Sequence, residues 1–194
     1  MLRIETITAH LKVPALSRRH LLLIAGTVGA AVLTALATYV RIPLPFSPVP
    51  VTGQTMAVLL AGAFLGPIAG SVSQGLFLAL GATGLTVFAG GALTGLTGGY
   101  LIGFVLAACI VGAVAHRTHS VAAVAAAMAA ASAVILASGA AWLCTVAGLS
   151  VHEAITLGVL PFIPGDILKL FGALAIWRGG IGLWRVLVGE SGAE

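Results

Sequence analysis

Of the 194 residues, 60% are hydrophobic and only 7% are charged, and the mean hydropathy is +1.17. Soluble domains carry about 25% charged residues, so a water-soluble fold of this size is excluded and the surroundings must be lipid. The net charge of +4 comes from nine scattered bases against five acids; the bases make no nucleic-acid footprint and suit the positively charged cytoplasmic ends of a membrane protein.

The first 19 residues form a polar arm, expected to be cytoplasmic. An apolar run of 20 residues follows, Leu21–Val40, and about 20 such residues cross a bilayer as a helix. The run ends in Tyr39-Val40-Arg41-Ile42-Pro43, which lacks the small residues of a signal-peptide cleavage site, so a retained helix is expected. Ala31 and Ala35 share one face of it, as do Gly26, Ala30 and Thr34. Small residues at spacing four allow close helix packing in lipid, within the chain or against a partner.

The connection 41–53 contains Pro43, Pro45, Pro48 and Pro50, which bar a helix and stiffen an extended path. Leu44, Phe46 and Val49 make it apolar, so it is expected to fold back as a lid. Helices are predicted over 54–65 and 67–86, divided at Pro67, then over 99–115, 121–147 and 165–187. Continuous Ala-, Leu- and Gly-rich runs argue against a membrane barrel, whose strands alternate. In lipid a helix satisfies its own backbone. The expectation is an all-α integral membrane protein: six helices over 20–188 and a short tail, 189–194.

No Asp, Glu, Lys or Arg lies between Arg41 and Arg117, or between Arg117 and Glu153. With both termini in the cytoplasm, seven of the nine bases fall inside, the topology the positive-inside rule favours. Connections 41–53, 87–98 and 148–164 then lie outside, with Glu153 and Asp166. The 87–98 connection is glycine-rich, which lets backbone approach a ligand or another chain closely.

Asp166 and Lys169 stand at the start of the last helix. Ionisable groups inside a membrane cost roughly 2.5–3.5 kcal/mol each, and mark function by default. The alternative is a helix cap with an i,i+3 ion pair, which leaves a lysine one turn into the helix unexplained. Gln54 and Gln74 are the next polar candidates, for ligand contact or for hydrogen bonds between helices. His116 and His119 read as solvated residues at a helix end, His152 as a loop residue, and Cys109 and Cys144 as small core residues; no metal or other cofactor is expected. There is no GxxxxGK[ST], HExxH or GxSxG motif, so neither ATP hydrolysis nor metalloprotease or serine-hydrolase chemistry is expected.

Four blocks in order, PLPFSPVPVTGQT (43–55), GATGLTVFAGG (81–91), TGGYLIGF (97–104) and FIPGDILKL (162–170), resemble the BioY family. These are the biotin-specific S components of energy-coupling factor transporters. The similarity runs from about residue 20 to 185. It implies an S-component-like six-helix bundle in the bacterial cell membrane that takes up biotin from outside. It implies as partners a transmembrane coupling protein and two cytoplasmic ATPases. By the same resemblance Asp166, Lys169 and Gln54 belong to the biotin site, with Thr52, Gly98, Gly99 and Tyr100 in the matching blocks, and Ala31 and Ala35 dock on the coupling protein. The chain departs from the family at the shortened Gly91–Gly98 segment, where Leu96 stands for a proline and no arginine is present, and at Thr86, where a proline is common. Biotin's apolar rings would pack on Phe46, Phe88 or Tyr100, and Asp166 would accept a ureido N–H. Other readings of the polar pair are an S component for a different solute, a membrane enzyme with Asp166 as base, or a structural subunit.

Overall fold

The computed structural model describes residues 17–84, 87–88, 92–118 and 120–189. The arm before Ser17, Thr86, Gly90, Gly91, His119 and the tail after Gly189 lie outside the described residues. Helix α1 spans Arg18–Leu36, started by Ser17, whose hydroxyl accepts from the His20 N–H. The proline-rich connection is pinned at its base by an antiparallel pair, β1 (Arg41–Ile42) and β2 (Val51–Thr52), in register Arg41 to Thr52. Then come α2 (Gln54–Ala82), α3 (Gly98–Ala115), α4 (Val121–Val146), a short α5 (Val151–Gly158) and α6 (Ile163–Val188).

Helix α2 is a hairpin. Gly66 adopts φ 82° and ψ −177°, immediately before Pro67. That conformation is open essentially to glycine alone, and proline then restarts the helix. The chain doubles back so far that a Cβ on Gly70 would lie 2.9 Å from the Gly62 Cα. In a straight helix eight residues apart means about 12 Å. The two arms are therefore separate passes, and the six predicted spans are α1, the two arms of α2, α3, α4 and α6. The first arm is only about 18 Å long, short of a bilayer core of about 30 Å. It sits within the bundle, with Val58, Leu59 and Ala63 fully buried, so most of it meets protein instead of lipid.

Glycines set the spacing between helices. A Cβ on Gly62 would strike the Ala108 carbonyl of α3, and one on Gly112 would strike the Gly66–Pro67 turn. Gly103 abuts Ile135 and Ser138 of α4. The contacts also fix which ends meet. The α2 turn lies with the end of α3 and the end of α6, since His116 covers Gly66 and Trp184 lies against Gly26 beside Leu65. At the opposite end Gly53 meets Ala37 and Val40, Gly98 and Gly99 meet Trp142, and Gly165 meets Val51.

Two expectations need correction here. The sequence predicts a connecting loop over 148–164, whereas the segment contains α5 and a 3₁₀ turn, Leu160–Phe162, with α6 starting at Ile163 instead of Gly165. Ser150 and Glu153 make the reciprocal capping box that starts α5. Ala31 and Ala35 point inward, 1% and 8% exposed, in the core shared with α2. They present no surface to a partner. The small residues of α1 that remain open are Gly26, Gly29 and Ala30, which with Phe64 and Trp184 line a groove of about 310 Å³.

Candidate ligand site

At the end of the bundle that carries the proline-rich loop, a small cavity of about 40 Å³ lies between β2, α2, α3, α4 and α6. Each element delivers a polar group for a local reason. Strand β2 ends at Thr52, and Gln54 opens α2 two residues later; the Thr52 hydroxyl donates to Gln54 Oε1 at 3.2 Å. This leaves the Gln54 amide nitrogen buried without a partner. Thr97 and Tyr100 stand at the start of α3, Asp166 and Lys169 in the first turns of α6. Tyr100, Phe104 and Phe162 supply the apolar wall, with Tyr100 and Phe162 ring centroids 6.0 Å apart.

Lys169 Nζ lies 2.6 Å from Asp166 Oδ1, with side chains 14% and 8% exposed. The contact is an ion pair by distance without an aligned hydrogen bond, and Asp166 Oδ1 has no other partner. The capping alternative for Asp166 fails: α6 is capped at Phe162, no side chain bonds its first amides, and Asp166 is four residues in. Two buried polar atoms, Gln54 Nε2 and Thr97 Oγ1, border this cavity without partners, beside Asp166 Oδ1, whose one contact is the ion pair with Lys169. Buried polar groups are nearly always hydrogen-bonded, so their convergence marks a place built for a polar ligand.

A groove of about 710 Å³ between α4, α5 and α6 is far larger. Its walls are mostly alanines and branched aliphatics. Such a surface suits lipid tails; only Ser132 and Asp166 bring oxygen-bearing side chains to it. Leu136 and Asp166 border both spaces and form the wall between them.

The segments at this end of the bundle are tied down over the cavity. The Ser47 hydroxyl donates to the Leu157 carbonyl at 2.7 Å, holding the proline-rich loop on α5. Val49 is buried and Pro50 lines the cavity, as a lid requires. The Tyr100 hydroxyl donates to the Gly158 carbonyl at 2.7 Å, fastening α5 to α3, and its ring rests on Gly139, where a Cβ would strike it. Trp142 Nε1 donates to the Gly95 carbonyl at 2.9 Å, fixing the glycine-rich segment to α4.

Of the residues singled out from sequence, Asp166, Lys169, Gln54, Thr52 and Tyr100 line the cavity together. Gly98 and Gly99 do not: a Cβ on either would collide with Trp142 or its neighbours, so they serve helix packing. Gln74 is fully buried in the second arm of α2, donating to Ser73 Oγ at 3.0 Å, away from the cavity. Phe46 is 59% exposed, and Phe88 packs edge-on against Phe77 at 5.4 Å; neither lines the cavity. Thr97, Phe104 and Phe162 were missed. All three sit in the quoted blocks, but threonine at a helix start reads as a cap, and phenylalanine in a membrane helix reads as core.

The BioY family model matches residues 10–187. The chain is 34% identical over 177 residues to the biotin transporter BioY of Rhizobium etli, covering 84% of this chain and 93% of that one. To the biotin transporter BioY of Thermotoga maritima it is 38% identical over 158 residues, 77% and 91% of the two chains. Among solved structures, the crystal structure of the S-component for biotin from an ECF-type ABC transporter superposes with a TM-score of 0.78 at 25% identity, over 84% of this chain and 93% of that one. A multi-pass helical bundle with its polar cavity under a proline-rich lid, and relatives of this similarity over nearly their whole length, establish that the chain belongs to the BioY family.

Proposed function

We propose that the chain is the biotin-binding S component of an energy-coupling factor transporter, capturing biotin from outside the cell for uptake driven by ATP hydrolysis in partner subunits. The observation that carries this reading is the pair of unpartnered polar atoms around one cavity, Gln54 Nε2 and Thr97 Oγ1, beside a lysine–aspartate pair and an aromatic wall. Biotin's ureido ring carries two N–H donors and a carbonyl acceptor on an apolar bicycle. Asp166 accepts an N–H, the aromatic wall packs on the rings, and Lys169 balances Asp166 and donates to the ligand. The names of the relatives support the same ligand.

The chain lacks a P-loop, so its partners are a transmembrane coupling protein and two cytoplasmic ATPases. Arg18, Arg19, Arg117, Arg178 and Arg185 mark the cytoplasmic end by the positive-inside rule, which puts both termini inside. The lid and cavity then face outward. The coupling protein docks on the open small-residue groove of α1, around Gly29 and Ala30.

A cavity of about 40 Å³ is well below the ~300 Å³ at which small-molecule pockets begin. Biotin therefore enters by lifting the 43–50 lid. Calorimetry of the purified protein tests the reading: saturable one-to-one binding of biotin is the expected result. No heat with biotin but a signal with another small vitamin would transfer the site to that solute.

A further inference from the structure

Thr97 is the N-cap residue of α3. Threonine there ordinarily accepts a hydrogen bond from an amide of the first turn. This one makes no such bond. Its hydroxyl has no partner, although the residue is only 4% exposed, and it borders the same cavity as Gln54 and Asp166. Burying a hydroxyl in this way is unfavourable, and no structural role accounts for it.

We propose that Thr97 and Gln54 form a two-donor site for the carbonyl oxygen of a cyclic urea, and so set the selectivity of the cavity at that atom. The proposal rests on the biotin reading. Thr52 donates to Gln54 Oε1, so the group Gln54 offers the ligand is its NH₂, which can only donate. The Thr97 hydroxyl is free to donate as well. A carbonyl oxygen has two lone pairs and accepts both. The Asp166 carboxylate, which borders the same cavity, accepts only. Two neutral donors and one charged acceptor match a carbonyl flanked by an N–H. A ligand with a nitrogen-bound hydrogen in place of that oxygen sets donor against donor.

The test is calorimetry on the purified full chain with three ligands: biotin, its methyl ester, and 2-iminobiotin, whose guanidinium carries N–H where biotin has the carbonyl. Wild type should bind biotin and the ester far better than 2-iminobiotin. Thr97→Val should weaken biotin and its ester alike, by about 5- to 150-fold, while 2-iminobiotin changes little. Thr97→Ser should restore biotin binding. Because the hydroxyl caps nothing, the valine variant should keep its helicity and thermal midpoint; if it does not fold, Thr97→Ala replaces it in the same comparison. Wild-type affinity in Thr97→Val overturns the assignment and leaves the biotin reading standing. A loss seen with biotin but not with the ester also overturns it, and gives the hydroxyl to the carboxylate. A wild-type protein that ignores biotin defeats the biotin reading, and the ureido assignment with it.

Discussion

A lysine in the second turn of a membrane helix has to be held by something, and Asp166 holds Lys169 at 2.6 Å. Removing one member of a buried pair leaves the other charge uncompensated. Asp166→Asn keeps the size but replaces an acceptor by a donor opposite a ureido N–H. Losing a charge-assisted hydrogen bond costs about 1.5–3 kcal/mol, so biotin affinity should fall about ten- to 150-fold. Lys169→Met should weaken binding comparably by stranding the carboxylate. Leucine at both positions removes the charges together and should give a folded, inserted protein that binds no biotin. Calorimetric titration of the three variants decides the matter; near-normal affinity in the double variant would show the pair to be structural. These residues were legible in the sequence because polarity is conspicuous in a chain with so few charges. Thr97 was not, because threonine is as well suited to a cap as to a ligand, and only its missing cap bond tells the two apart. Gly98 and Gly99 misled for a related reason. Sequence shows that something must come close to a glycine, but not that the neighbour is Trp142, 43 residues away from Gly99.

Among the elements, the α2 hairpin and the lid make separate demands. An L-residue at φ 82° costs about 1–3 kcal/mol, and a Cβ on Gly66 would also press on the His116 ring at 2.9 Å. Gly66→Ala should therefore lower the thermal midpoint in detergent by about 2–10 °C, and an unchanged midpoint would mean the turn is not built as described. The lid depends on Ser47. Its bond to Leu157 is worth about 0.5–1.5 kcal/mol, so Ser47→Ala should open the lid more often and speed biotin association up to about tenfold. Stopped-flow fluorescence with rate constants identical to wild type would place the gate elsewhere. The division at Pro67 and the lid were both visible in advance, since proline and glycine declare backbone geometry directly. Helix α5 was not. Its eight residues carry charge and polarity typical of a loop, and it is stabilised by a capping box at one end and by Tyr100 at the other, a contact across 58 positions that no local pattern encodes.

On the scale of the whole molecule, the distinction that matters is between a small residue that is small for its own fold and one that is small for a partner. The alanine pair on α1 fits either use by spacing alone. In this fold α2 packs along α1, and Ala31 and Ala35 belong to the core. Bulk there should disrupt the bundle itself. Gly29 is the opposite case. It lies four residues before Leu33 in the open groove with Phe64 and Trp184, and nothing stands within 4 Å of the Cβ it would carry. A tryptophan at Gly29 thus has room in the isolated chain. Against a docked transmembrane helix it would hold the two backbones apart, and close approach is what drives association in lipid. Gly29→Trp should therefore insert, fold and bind biotin like wild type, yet fail to co-purify with the coupling protein and its ATPases, and fail to concentrate biotin in cells. Ala31→Trp should instead lose folding and biotin binding together. If Gly29→Trp still assembles and transports normally, the groove on α1 is not the docking face.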